Sequence, residues 1–123
     1  MKGIITLCGS TYFKEQFEEV QMKLTLKGYV VLTVGCYYHL FTKDEEAKIE
    51  GYKVLLDQLH KEKISISQAI VVINVNGYVG ESTASEYQYA YDLSKRIYWY
   101  DTSYFDVYRN NKFHLCSGSW TKL

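Results

Sequence analysis

Two short segments hold residues whose types and spacing could do chemistry: Cys8-Gly9-Ser10-Thr11, and Gly80-Glu81-Ser82-Thr83-Ala84-Ser85-Glu86. In the first, small residues let backbone N–H groups approach an anion and the hydroxyls add donors, so a phosphate would fit. A simple helix cap at Ser10 or Thr11 accounts for the same residues, and the GxxxxGKS/T pattern of a P-loop is absent. In the second, a carboxylate one turn into a helix can serve as nucleophile or general base. Thr83 and Glu86 also have capping-box spacing, and an acid near a helix start is favourable on electrostatic grounds alone. His39, His60 and His114 show no metal-ligand spacing, and Cys8, Cys36 and Cys116 form no CxxC pair. No metal and no other cofactor is therefore expected, and the cysteines read as free thiols.

The elements that must position these segments follow from the hydrophobic pattern. Gly3 to Cys8 is an apolar run feeding the first loop, which makes it a buried strand. Phe13, Phe17, Val20 and Leu24 then recur on one helical face until Gly28 stops the helix. Tyr29 to Val34 is a second strand. The loop from Cys36 to Lys43 carries Tyr37, Tyr38, His39 and Phe41 just past that strand and reads as a lid. Thr42 and Glu45 match a capping box, and Ile49, Tyr52, Leu56 and Leu59 predict a helix running to about Lys63. Ile70 to Val75 has almost no polar alternation, as in the middle of a parallel sheet. Asn76 to Gly80 is a glycine-bearing loop, Ser82 to Lys95 a helix with Ala84, Tyr87 and Tyr91 on one face, and Ile97 to Tyr100 a fourth strand. After Asp101 the pattern changes to a hairpin turning at Asn110-Asn111 and a polar Ser117-Gly118-Ser119 tail.

This alternation gives the fold class: α/β, a small doubly wound (Rossmann/flavodoxin-like), mainly parallel sheet with a C-terminal hairpin or tail. Ligands are expected at the carboxyl ends of its strands. At 123 residues and 47% apolar content the chain reads as one domain, 1–123, with a core of about 2–100 and a tail over 101–123. No apolar run reaches the roughly 18–20 residues of a membrane span, and Met1-Lys2-Gly3 leads straight into a strand rather than a signal peptide, so the expected location is cytoplasmic. Fourteen Lys and Arg against 14 Asp and Glu give no basic footprint for duplex nucleic acid. Thirteen tyrosines with no proline suit stacking on rings or a subunit interface, and equally a biased base composition. Trp99 and Trp120 read as core and tail anchors.

The strand-to-loop LCGST (Leu7 to Thr11), together with GESTASEYQYA (Gly80 to Ala90) after a later strand, resembles the nucleoside 2-deoxyribosyltransferase-like superfamily, which includes 2′-deoxynucleoside 5′-monophosphate N-hydrolases. The resemblance covers roughly Lys2 to Tyr100. It implies that Glu86, with the small Ala90 four residues on, attacks the anomeric carbon of a sugar, in the manner of a retaining glycosidase. Glu81 aligns less well. It also implies that Ser10 and Ser82 hold a 5′-phosphate or a sugar hydroxyl, and that the chain is a homodimer or higher homo-oligomer. Two departures stand out. Tyr12 occupies the place of a phosphate-binding arginine, and Ser65, Gln68 and Asn74 stand where acids position the sugar and protonate the leaving base.

The expected function is cleavage of a nucleoside or nucleotide N-glycosidic bond, or deoxyribosyl transfer, with Glu86 as the catalytic residue. The expected ligand-binding set is Gly9, Ser10, Thr11, Tyr12, Asn74, Asn76, Gly80, Ser82 and Thr83. The alternative is a catalytically degenerate module that captures or senses a nucleotide-derived ligand. The expected partner in either case is a small molecule, not duplex nucleic acid or a membrane.

Overall fold

The structure, a computed structural model, describes residues 1–35, 42–104 and 117–123. Five strands, β1 (Ile4–Gly9), β2 (Val30–Leu32), β3 (Ala69–Ile73), β4 (Arg96–Trp99) and β5 (Gly118–Ser119), form one sheet in the order β2-β1-β3-β4-β5. Every pairing is parallel, with Gly9 opposite Ile73 at the carboxyl end of the β1/β3 pair. This is the flavodoxin-like order, in which the chain reverses direction between β1 and β3 and opens a crevice there.

Helices cover both faces, and strand alternation decides what each face receives. Ile5, Leu7, Val71, Ile73 and Tyr98 point to one side, where α1 (Lys14–Leu26) lays down Phe17, Val20 and Leu24. All three of those helix residues are fully buried, as their spacing predicts. Cys8, Ile70, Val72, Ile97 and Trp99 point to the other side, against Ile64 of α3 (Lys53–Ser65) and Tyr87 and Ala90 of α4 (Glu81–Asp92). Burial of all five residues of β3 follows from its position inside the sheet with helices on both faces. Gly28, at φ +98°, ends the first helix connection in a backbone region that suits glycine.

Four expectations are corrected. The single helix expected to run to Lys63 is two, α2 (Lys43–Glu50) and α3, separated at Gly51 and Tyr52. The Thr42–Glu45 capping box does form, the Glu45 N–H donating to Thr42 Oγ1 at 3.3 Å. The apolar stripe assigned to this region is not its buried face: Tyr52 and Leu59 are exposed, whereas His60 and Ile64 are buried. On α4 the buried stripe is Thr83, Glu86, Tyr87 and Ala90, and Tyr91 turns outward.

The fourth correction concerns the C-terminus. Ser117-Gly118-Ser119 is not a free polar tail, since Gly118 and Ser119 pair with Tyr98 and Trp99 as the fifth strand. Trp120 then buries its ring on the α1 face, stacked on Tyr100 at 6.1 Å between centroids. The expected hairpin turn at Asn110-Asn111 and most of the expected lid, including Tyr37, Tyr38, His39 and Phe41, lie outside the described residues, as do Cys36, Cys116 and His114. Among the described residues no helix is long and apolar enough to cross a membrane.

Candidate functional site

A cleft of about 690 Å³ opens at the carboxyl ends of β1 and β2, between α3 and α4. That volume lies within the range of small-molecule sites. Gly9 and Thr11 form its floor, Val34 and Gly35 one rim, Ser82 and Glu86 the α4 wall, and Lys53, Leu56, Asp57, His60 and Lys63 the α3 wall.

Hydrogen bonds fix one wall and packing fixes the other. The last turn of α3 is tied to β1: Thr6 Oγ1 lies 2.7 Å from Ser67 Oγ, and both hydroxyls donate to the Lys63 carbonyl, at 3.1 and 2.7 Å. Lys63 Nζ reaches across to the Thr33 carbonyl at 2.7 Å, fastening the same turn to the end of β2. Thr6 and Cys8 share one face of β1, so this clamp sets His60 over Cys8. On the opposite wall Ala90 lets α4 approach the sheet, and the edge-to-face contact of Tyr87 with Trp99, 5.7 Å between centroids, sets its rotation. Glu86, adjacent to Tyr87, is thereby turned toward the sheet rather than toward solvent.

At the base of the cleft three side chains converge. The thiol of Cys8, the imidazole of His60 and the carboxyl of Glu86 lie within 4.8 Å of one another. They are 0%, 7% and 9% exposed. Cys8 hydrogen-bonds the Glu86 carboxyl, and His60 Nε2 is 4.0 Å from Glu86 Oε1, too far for a hydrogen bond. His60 Nε2 and Glu86 Oε2 are buried without a hydrogen-bond partner. Few buried polar atoms in folded proteins are left this way.

Burial dominates the electrostatics of the cluster. It pushes Glu86 up from 4.5 to about 8, with help from the negative charge of Asp57 and against the thiol hydrogen bond and Lys61. His60 falls from 6.5 to about 4 because burial and the nearby Lys63 disfavour its cation, while a hydrogen bond with the Leu7 backbone and Asp57 oppose the fall. Burial, and then the Glu86 charge, raise the Cys8 thiol well above 9.0. At neutral pH all three groups are therefore predominantly uncharged.

Of the residues expected to bind ligand, Gly9, Thr11 and Ser82 line the cleft together with Glu86. Ser10 caps the short 3₁₀ turn Thr11–Phe13, accepting the Tyr12 N–H at 3.3 Å, so the capping explanation of that residue holds. Tyr12 is 75% exposed and is not part of the cleft wall. Asn74, expected to bind ligand, is not among the residues lining the cleft and anchors the Asp101 backbone. It is fully buried, its Nδ2 donates to the Asp101 carbonyl at 2.9 Å, and its Oδ1 accepts the Asp101 N–H at 2.7 Å. Asn76, at φ 54°, is an exposed turn residue. Gly80 is the N-cap of α4, which puts Thr83 inside the first turn and removes the capping-box role considered for Thr83 and Glu86.

No protein-family model matches the chain. No curated protein matches it either. The site therefore stands on its own geometry.

Sequence reasoning read Cys8 as part of the first loop and as a free thiol, set His60 aside for want of metal-ligand spacing, and missed Asp57 altogether. Lys53, Asp57, His60 and Ile64 recur at helical spacing. That mixed stripe, with His60 and Ile64 buried, turns toward the cleft and the sheet, although its composition does not single it out over Tyr52, Leu56 and Leu59. The expected acid positions fare differently. Ser65 donates to the Glu62 carbonyl in the last turn of α3, and Gln68 accepts the Ile4 N–H at the amino end of the sheet, away from the cleft.

Proposed function

We propose that the chain binds a nucleoside or nucleotide in the α3/α4 cleft and acts on its N-glycosidic bond through Glu86. The observation that carries this reading is the Glu86 carboxyl on the wall of a 690 Å³ cleft, 9% exposed, with Oε2 free of any protein partner. A retaining displacement needs such a group in its ionised form, the minor one at neutral pH and the major one above about pH 8: that carboxylate bonds to the anomeric carbon as the C–N bond breaks, and the base leaves with the bonding pair and takes a proton from water. Water, or a second base in a transfer reaction, then releases the sugar from Glu86. Thr11 and Ser82, which both line the cleft, supply hydroxyls to the sugar or its 5′ end.

Binding without turnover is the second reading, favoured by Asn74. Its amide is engaged by the Asp101 backbone, so the end of β3 offers no acid to protonate a departing base. In both readings we assign the protein to the cytoplasm as a homo-oligomer. The exposed Tyr52, Val54, Leu55 and Leu59 of the α3 region support self-association.

Incubation of the protein and a Glu86→Gln variant with a panel of nucleosides, nucleotides and NAD-derived compounds, followed by mass spectrometry, separates the readings. Free base that depends on Glu86 supports the enzyme. Intact ligand carried through with the protein supports the binding module, and neither result across the panel sinks both.

A further inference from the structure

We propose that Cys8, His60 and Glu86 form a site for one divalent transition-metal ion of borderline softness, with Zn²⁺ the best chemical match and a fourth position open to the cleft. Three features carry this. The donor set is one thiolate, one imidazole and one carboxylate, the combination that suits Zn²⁺ or Co²⁺ and that magnesium and calcium, which prefer all-oxygen shells, do not select. The three donor atoms already lie within 4.8 Å of one another. Around a tetrahedral zinc, donors sit about 3.5 Å apart, so closing on an ion takes side-chain adjustment rather than backbone movement. Finally, two of the three donors, His60 Nε2 and Glu86 Oε2, are more than nine-tenths buried and have no other partner.

The surroundings match the ion. His60 is held by a hydrogen bond with the Leu7 backbone, which leaves Nε2 as the lone-pair nitrogen that a metal takes; such outer hydrogen bonds usually orient metal-binding histidines. Thiolate and carboxylate together carry two negative charges, and a dication with a neutral imidazole brings the buried site to zero net charge. That removes the penalty of a lone charge in a dry site. His60 and Glu86 also line the cleft, so an ion has a path in and an exogenous ligand can reach it.

A metal there would take the carboxylate that the glycosidic chemistry needs. The metal-loaded protein is therefore the idle form, a consequence that rests on the proposed function, whereas the site itself does not.

The test uses the full chain with Cys36 and Cys116 changed to serine, stripped with chelator and titrated with Co²⁺. One equivalent should give a thiolate-to-cobalt charge-transfer band together with the visible bands of a tetrahedral ion, and Zn²⁺ should displace it. Cys8→Ser should abolish the charge-transfer band. His60→Gln, which keeps the thiol in place, should weaken Co²⁺ binding by about 100-fold or more, beyond the usual loss from removing an outer-shell partner. Circular dichroism establishes that both variants are folded. No band in the parent, a band that survives Cys8→Ser, or unchanged affinity in His60→Gln would overturn the site. Base release that continues unchanged in the Zn²⁺-loaded protein overturns only the idle-form consequence. Base release from stripped protein that is insensitive to Glu86→Gln overturns the glycosidic reading and leaves the metal site standing.

Discussion

Replacing Glu86 by glutamine keeps the shape of the side chain and removes its proton equilibrium, so the variant reports what burying this carboxyl costs. In the folded protein the group holds its proton up to about pH 8, against 4.5 ordinarily. That difference corresponds to about 5 kcal/mol. The folded pKa is raised, so the folded state binds the proton more tightly than the unfolded chain does. Stability from this group is fully present below pH 4.5 and is lost as pH rises to 8, by up to about 1.4 kcal/mol per pH unit. The negative Asp57 deepens the loss, while Lys61 reduces it. His60 acts in the other direction, losing stability as pH falls from 6.5 toward 4, through causes that do not include Glu86. Its contribution therefore cancels in the difference between the two proteins, and the Cys8 thiol stays protonated across the window.

The assay is urea unfolding of wild type and Glu86→Gln from pH 4.5 to 8.5 in the presence of chelator, with unfolding free energies compared at each pH. Wild type should lose about 4–5 kcal/mol relative to the variant across that range. A loss that large is comparable to the whole stability of a small domain, so the variant should be clearly the more stable protein at pH 8.5. Parallel curves, differing by less than about 1 kcal/mol across the range, would refute the reasoning, because they would mean that water reaches the carboxylate and the site is not dry.

Two further substitutions test the frame around the site. Asn74→Ala removes both hydrogen bonds to the Asp101 backbone and should cost about 2–3 kcal/mol. Its urea midpoint should fall with the m-value unchanged, and Co²⁺ affinity should stay the same. Gly9→Ala places a Cβ 2.8 Å from the Ile73 carbonyl oxygen, at a φ of +153°. The obstacle is backbone, so the change should destabilise by about 2 kcal/mol or more; a thermal melt indistinguishable from wild type would show that β1 and β3 separate more readily than their register implies.

Much of the fold is legible in the residues. The Phe17, Val20 and Leu24 stripe can face only one way, and the unbroken apolar run of β3 requires cover on both faces. The capping box at Thr42 and Glu45 was readable for the same reason, since it depends on contacts three residues apart. The α3 region shows the limit of this logic. Tyr52, Leu56 and Leu59 are an apolar stripe at least as strong by composition as Lys53, Asp57, His60 and Ile64. The hydrogen-bonded clamp of Thr6 and Ser67 on the Lys63 carbonyl fixes α3 against β1 with the mixed face inward. Nothing local to the helix encodes that rotation.

The sequence by itself therefore determined the α/β class, the parallel sheet and the two strand-end segments, because these depend on periodicity and short spacings, while Glu86 was singled out as a candidate by the family resemblance. Only the tertiary structure decided that Cys8, His60 and Glu86 meet, that Asn74 is spent on Asp101, and that the last residues form a fifth strand. Those outcomes join residues 26 or more positions apart, or 20 across the β4–β5 pairing. The physical reason is that such contacts are chosen by how helices and strands pack, and packing is a property of the whole chain rather than of any segment.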